Sequence, residues 1–348
     1  MRVVLDTTYA RRAPFSGTAV YLERLAGALA QLEGVELVEV YNRRRRRPAG
    51  GGPSSVRNAL ADRWWAEVEL PRLARAAGAD VIHHPLPAHA HTTPTAQVVT
   101  VHDLAFERLP DQFDRAYRVF ARSQHRAAAR RSGAVVCVSQ TTARDVIELW
   151  GVRAGRIVVA PHGPGQQLPP PQRAQPGGES RYVLYVGDDE PRKNLAALLE
   201  GYARYRRLTG SPLDLILAGS VPSSAWSPGV RCEQHPSPEH LARLYSGAVA
   251  LVHPALYEGF GLTPLEAMSL GTPVIAAAAP GVSEVCGDAA RYFDPRDADA
   301  LAAVIAELAA SPTMQADLAD RGRRQAATYS WAASARRHRD AYSLARTR

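Results

Sequence analysis

Glu258 and Glu266 stand eight positions apart, with the loop Gly259-Phe260-Gly261 and then Leu262 and Thr263 between them. Carboxylates at both ends of a glycine loop offer acceptors for sugar or ribose hydroxyls. The loop amides and a following helix N-terminus suit an anion. Residues 248–253 (AVALVH) read as a buried strand, and residues 272–276 begin another. The segment is therefore strand, glycine loop, helix, strand, a site for a phosphorylated sugar. A second reading stands beside it: Thr263 at N-cap, Pro264 at N1 and Glu266 at N3 have the spacing of a capping box. Glu258 alone reads equally as a solvated loop acid.

Among 42 Lys plus Arg the chain has one lysine, Lys193, in Glu190-Pro191-Arg192-Lys193-Asn194. Lysine acts at a phosphate as a compact point charge and arginine as a planar fork, so the two are not interchangeable. Residues 181–187 (RYVLYVG) are strand-like, and Leu195, Leu198, Leu199 and Tyr202 have helical spacing. Arg192 and Lys193 thus fall where a strand hands over to a helix, the usual phosphate position in α/β folds. A stray lysine at a helix start is the plainer alternative.

The run from His253 to Ala276 resembles the signature of retaining glycosyltransferase family 4, whose fold is GT-B: EGFGL, LEAM and GTPV all occur in it. The resemblance implies that Glu266 binds the ribose of a sugar nucleotide. It places Glu258 and the backbone of Gly259, Phe260, Gly261 and Leu262 against the donor sugar and its phosphates, with Thr263 within reach of a phosphate. Arg192 and Lys193 resemble the family's diphosphate-neutralising pair. Many members carry Arg after the preceding glycine where this chain has Asp188, which leaves more of that charge to Arg192 and Lys193. Residues 98–106 (VVTVHDLAF) resemble the family's T-x-H-D-L, which sets His102 near the reacting sugar carbon and Asp103 beside it. Gly17, after Ser16 and before the first helix, is the candidate for close backbone approach to the diphosphate.

Two series of short strands alternating with amphipathic segments predict two parallel, doubly wound sheets. Strands are expected at 2–5, 36–41, 81–83, 98–101, 134–138 and 157–159, then at 182–186, 213–217, 249–253 and 273–276. The resemblance turns this into GT-B: two Rossmann-like domains facing a cleft. Residues 1–165 form the acceptor-binding domain, 166–180 a Pro/Gly-rich linker and 181–325 the nucleotide-sugar domain. Residues 326–348 supply a helix that crosses back to the first domain.

At 348 residues, 46% hydrophobic and 22% charged, the chain is an ordinary globular protein with room for two cores. Cys137, Cys232 and Cys286 lack metal-ligand spacing and fit a reducing compartment. The start, MRVVLDTTYA, meets Asp6 too early for a signal peptide, and no apolar run approaches the ~20 residues of a membrane span. A cytoplasmic protein, peripheral at the membrane at most, is expected. Residues 1–165 hold 23 of the 42 cations and 15 of the 34 acids, so the whole excess of +8 lies there. Its focus is Arg43, Arg44, Arg45, Arg46 and Arg47, followed by glycines and by Trp64 and Trp65. This reads either as a docking patch for anionic lipid or as a solvated loop. No nucleic-acid motif accompanies the charge.

His83, His84, His89 and His91 cluster without zinc-site spacing. Asp188, Asp189 and Glu190 lie beside cations that do a metal's work, so no cofactor and no metal are expected. The reading is a retaining transferase that moves a hexose, mannose from GDP-mannose first, to a glycan or lipid-linked acceptor in polysaccharide or glycolipid assembly. The alternatives are a nucleotide-sugar epimerase or phosphorylase of similar architecture, or a non-catalytic sugar-nucleotide-binding partner. A pyridoxal-dependent phosphorylase would need Lys193 as its Schiff base, which the neighbouring Arg192 opposes.

Overall fold

The computed structural model describes residues 1–13, 16–44, 53–165, 181–222 and 227–347. The expected linker, 166–180, lies outside the described residues, as do Arg45, Arg46 and Arg47. The chain divides into two compact units, Met1–Gly163 with Ser330–Arg348, and Pro164–Tyr329.

The first unit carries strands β1 (Arg2–Asp6), β2 (Glu36–Val40), β3 (Val81–His84), β4 (Ala96–Val101), β5 (Ala134–Cys137) and β6 (Ile157–Val159). They form one parallel sheet in the order β2-β1-β3-β4-β5-β6. Alternate strand residues face opposite sides, and each side is covered by helices. Val3, Leu5, Val81 and Val98 pack with Tyr21, Leu22 and Leu25 of the helix Gly17–Ala30 and with Trp331, Ala335 and Tyr342 of the last helix, Trp331–Arg346. On the other side, Val99, Val101 and Val135 meet Val146 and Trp150 of the helix Gln140–Trp150, while Val4 and Ile82 meet Trp65 and Leu70.

The second unit repeats the plan with β7 (Tyr182–Val186), β8 (Asp214–Ala218), β9 (Val230–Glu233), β10 (Ala250–His253), β11 (Val274–Ala277) and β12 (Ala290–Phe293). The parallel order is β12-β11-β10-β7-β8-β9. Val183, Tyr185, Leu215 and Val252 pack with Leu198 and Tyr202 of the helix Leu195–Leu208 and with Leu301 and Ile305 of the helix Ala298–Ala310. The sequence pattern missed β9 and β12. Both are sheet edges, VRCE and ARYF, whose charged residues and mixed burial erase the apolar run that marks a central strand.

Strand order reverses direction between β7 and β10: the chain moves from β7 outward to β9, then returns to β10 and runs outward to β12. Ligands in open α/β sheets sit beyond the carboxyl ends of the strands at such a switch point. The loops after β7 and β10 carry the charged residues singled out above.

Candidate functional site

After β7 the chain passes Gly187 and the acidic stretch into a single 3₁₀ turn, Pro191–Lys193. Asn194 follows in the left-handed region (φ 58°) and starts the helix Leu195–Leu208; its side-chain amide donates to Pro254 O (3.2 Å) and Pro295 O (2.9 Å). Leu256 N donates to Arg192 O at 2.8 Å, so the loop after β10 is tied to the turn after β7. Arg192 forms ion pairs with Glu190 (2.8 Å) and, through a terminal guanidinium nitrogen, with Glu258 Oε1 (3.0 Å). Burial works to raise the Glu258 pKa, but Arg192, His253 and Lys193 outweigh it and hold the carboxyl below its ordinary value. Lys193 Nζ lies over the backbone of Gly187, where a Cβ would stand 3.0 Å from it. Asp188 has another employment: its Oδ1 accepts from Ser220 N (2.9 Å) and its carbonyl accepts from the Tyr185 hydroxyl (3.0 Å).

The glycine loop is fixed by close approach. A Cβ on Gly281, in the helix Pro280–Cys286, would fall 2.0 Å from Glu258 O, so only glycine lets that helix start against the loop. Phe260 is buried and packs edge-to-face on Tyr329 at 5.7 Å. The capping box is not formed. The helix Leu262–Ser269 begins one residue before Thr263, with Gly261 at N-cap (φ 105°), so Thr263 already lies inside the first turn, and no side chain caps the helix. Glu266 points elsewhere. It is 5% exposed, its Oε2 accepts from the Tyr245 hydroxyl at 2.9 Å, and a Cβ on Gly165 would lie 2.0 Å from its Oε1. Burial, and next the Glu266 charge, push the Tyr245 pKa well above its ordinary value. Thr263 and Leu262 are half-buried on the first turn of that helix.

One group of this unit escaped the sequence reading. His253, the last residue of β10, is buried, and its Nε2 lies 3.8 Å from Glu258 Oε1. Only its position five residues before Glu258, at the end of an apolar strand, hinted at a place in the site.

In the first unit, His102 and Asp103 follow β4. His102 Nε2–H donates to Pro85 O at 3.0 Å, and its ring meets Tyr21 edge-on at 4.7 Å and 84°. The ring is only partly covered, yet desolvation drives its pKa down to about 4 against the raising effect of the Pro85 bond, so it is neutral at pH 7. Asp103 Oδ1 accepts from Ala105 N (2.8 Å). Gly17 is exposed at the start of its helix, capped by Ser16.

Beneath His102 runs a buried polar chain whose proton order is determined. His338 Nδ1 meets the Ser334 carbonyl (2.8 Å) and must donate to it. In the neutral ring Nε2 is then an acceptor, so Tyr21 O–H donates to it (3.0 Å). Thr100 must donate to Tyr21 (2.9 Å), His83 Nε2–H to Thr100 (2.9 Å), and Tyr342 O–H to His83 Nδ1 (2.9 Å). Among the described residues no group of three or more His, Cys, Asp or Glu is arranged to hold a metal ion. No helix among them is long and apolar enough to cross a membrane.

Trp65 is buried and its Nε1 donates to Asp6 Oδ2 at 2.8 Å, so one of the two tryptophans of the basic patch belongs to the core. Trp64 is 45% exposed, with the Arg44 guanidinium 5.8 Å from its ring.

The description Glycosyl transferases group 1 fits residues 171–325, and Glycosyltransferase Family 4 fits residues 15–164. An O-antigen chain mannosyltransferase B from Escherichia coli is 31% identical over 268 residues, 71% of this chain and 70% of that protein. An MMP alpha-(1->4)-mannosyltransferase from Mycolicibacterium hassiacum is 33% identical over 61% of this chain and 54% of its own length. Among solved structures, a sucrose-phosphate synthase from Thermosynechococcus elongatus superposes with a TM-score of 0.80 at 22% identity, covering 99% of this chain and 98% of that one. Anabaena HepE in complex with UDP-glucose gives 0.72 at 15% identity over 99% of both chains.

Proposed function

The chain belongs to glycosyltransferase family 4, and from that premise we propose a retaining hexosyltransferase that moves mannose from GDP-mannose to a hydroxyl of a glycan or lipid-linked glycan. The observation that supports this reading best is the grouping of Arg192, Lys193 and Glu258 on two tied loops at the switch point of the second sheet. Departure of a diphosphate from an anomeric carbon builds negative charge on the leaving group, and fixed cations assist it most where they need not reorganise. Arg192 and Lys193 supply that charge, without a metal. Glu258 takes sugar hydroxyls and Glu266 the ribose, while the backbone of Gly259, Phe260, Gly261 and Leu262, with Thr263, lines the sugar and phosphates. Acceptor binding falls to the first unit, with His102, Asp103 and Gly17 as its candidates. His102 acts there as a neutral hydrogen-bonding group, since burial denies it a charge at pH 7. The mannosyl choice is supported by the two relatives named above.

A peripheral contact of Arg43–47 with an anionic membrane surface is part of the proposal, supported by the charge excess of residues 1–165 and by exposed Trp64 beside Arg44.

The test is a thermal-shift panel of GDP-, UDP-, dTDP- and ADP-sugars, followed by a transfer assay with the one that binds. A ligand at ~100 times its Kd adds about 2.7 kcal/mol of stability. GDP-mannose is expected to give the largest shift and to be consumed in the presence of an acceptor glycan with retention at the anomeric carbon. A panel with no shift, or an inverted product, overturns the reading.

A further inference from the structure

Neither the motifs nor the proposed roles account for His253. Its side chain is 5% exposed, and its Nε2 is buried without a hydrogen-bond partner. Glu258 Oε1 is 3.8 Å from it, beyond hydrogen-bond reach. A buried ring nitrogen left in this state carries the desolvation penalty of an unmade hydrogen bond. The same carboxylate oxygen is already held by Arg192 at 3.0 Å. One oxygen therefore has a cation in place and an idle imidazole less than an ångström too far to replace it.

The charged groups that face His253 are Glu258, Lys193 and Arg192. Desolvation is the strongest influence and lowers the ring's pKa; Glu258 raises it, Lys193 and Arg192 lower it further, and the balance rests at about 4. At pH 7 the ring is neutral. A diphosphate bound by Arg192 and Lys193 changes two of these influences in the same direction. It draws the guanidinium away from Glu258, and its negative charge cancels the positive field of Arg192 and Lys193 at the ring. Both changes favour a proton on Nε2, the atom that faces the vacated carboxylate oxygen.

We propose that His253 is a positioning residue of the donor site: as a sugar diphosphate engages Arg192 and Lys193, His253 takes up one proton from solvent at Nε2 and replaces Arg192 as the partner of Glu258. The carboxylate then stays ionised and oriented for the sugar hydroxyls, and the proton returns to solvent when the diphosphate leaves. The N–H bond at Nε2 is the one covalent change in the protein, and it forms as an O–H bond of hydronium, or the acid bond of a buffer, breaks. This rests on the donor-site reading above. Glu258 thereby keeps a cationic partner after Arg192 has turned to the diphosphate.

The test is calorimetry of GDP-mannose, with UDP-glucose in a parallel arm, at pH 6.5 in PIPES, HEPES and Tris. A sugar-linked diphosphate has no ionisation near this pH, so the slope of observed enthalpy against buffer ionisation enthalpy counts protons taken up by the protein. The wild type is expected to take up most of one proton, and its Kd to tighten toward tenfold per unit as pH falls from 8 to 6. His253→Gln keeps a neutral donor beside Glu258, and is expected to bind with no uptake and no such pH dependence. Should that variant fail to fold, Glu258→Gln removes the partner of the protonated ring and must also abolish uptake. Binding by the wild type without uptake, or uptake that persists in either variant, overturns the role of His253 and leaves the donor site standing. Absence of binding by both sugar nucleotides overturns the donor site and the role together.

Discussion

The two units build the same six-stranded parallel sheet and treat polar groups in opposite ways. In the second, charges are kept charged: Arg192, Glu190 and Glu258 stand in contact at the switch point, and Lys193 is close by. In the first, buried histidines are kept neutral. His83, His84, His89, His102, His125, His162 and His338 all have pKa values lowered first by burial, as does His253 in the second unit. The buried chain from Tyr342 to Ser334 satisfies two of these rings, His83 and His338, with hydroxyls and a carbonyl, which add no charge. The difference is the one the proposed function calls for, with a charged leaving group at the second unit and an uncharged hydroxyl compound at the first.

If the second unit owes its chemistry to fixed charge, removing one charge has the largest effect in the molecule. Lys193→Ala is expected to lower the transfer rate about 100- to 1000-fold, the usual weight of one preorganised electrostatic contact. The melting temperature should stay within about 2 °C, because Lys193 is half-buried and holds no core position. Steady-state kinetics with the donor from the thermal panel measure the first, differential scanning fluorimetry the second. A variant that keeps more than half the rate removes Lys193 from the mechanism.

The first unit, with its neutral buried histidines, is expected to fail first in acid. Each depressed histidine stays unprotonated in the folded state while its unfolded counterpart binds a proton below about pH 6.5. Stability from these groups is therefore complete above pH 6.5 and is lost as pH falls from 6.5 toward 4. For fully buried His84 and His338, whose pKa values lie at about 4, the loss reaches about 3 kcal/mol each. Glu67, Glu107 and Glu258, held below their ordinary values, add their loss only below about pH 4.5. Hydrogen exchange at pH 5.0 compared with pH 7.5, after correction for intrinsic rates, should show β3, β4 and β5 deprotected more than β7, β10 and β11. Equal deprotection of both sheets breaks the contrast between the units.

How much of this was legible in the sequence follows the physics of each part. Central strands such as Ala250–His253 and Val274–Ala277 are wholly buried and so wrote apolar runs into the chain; the edges β9 and β12 did not. The solitary Lys193 and the carboxylate spacing were visible because residue type and interval survive in one dimension. The pairing of Arg192 with Glu258 was not, since 66 positions separate partners that only the β7–β10 adjacency brings together. Thr263 had the composition of a cap, and Gly261 took the place because its conformation starts the helix earlier. The proton chain of the first unit links Tyr21 to His338 across 317 positions, beyond any local pattern.

The smallest expected effect on the fold is at the basic run. Arg43 and Arg44 are exposed, and the visible ion pair of Arg44 with Glu69 (3.0 Å) is of a kind worth about 0–1 kcal/mol. Replacing the five arginines 43–47 by serine should shift stability by less than about 1 kcal/mol in urea titrations. Transfer to a soluble acceptor should be unchanged, because the residues proposed for the donor belong to the second unit. Liposome binding is where the change should appear. Each basic residue near an anionic surface contributes roughly 1 kcal/mol, screened over a Debye length of about 8 Å at physiological salt. Wild-type protein should float with phosphatidylserine vesicles at low salt and the variant should not. Equal flotation of the two moves the membrane contact to another surface, and flotation of neither makes the run a solvated loop. Either way the excess charge of the first unit would then be separate from its neutral buried histidines, and the contrast between the units would rest on their buried groups alone.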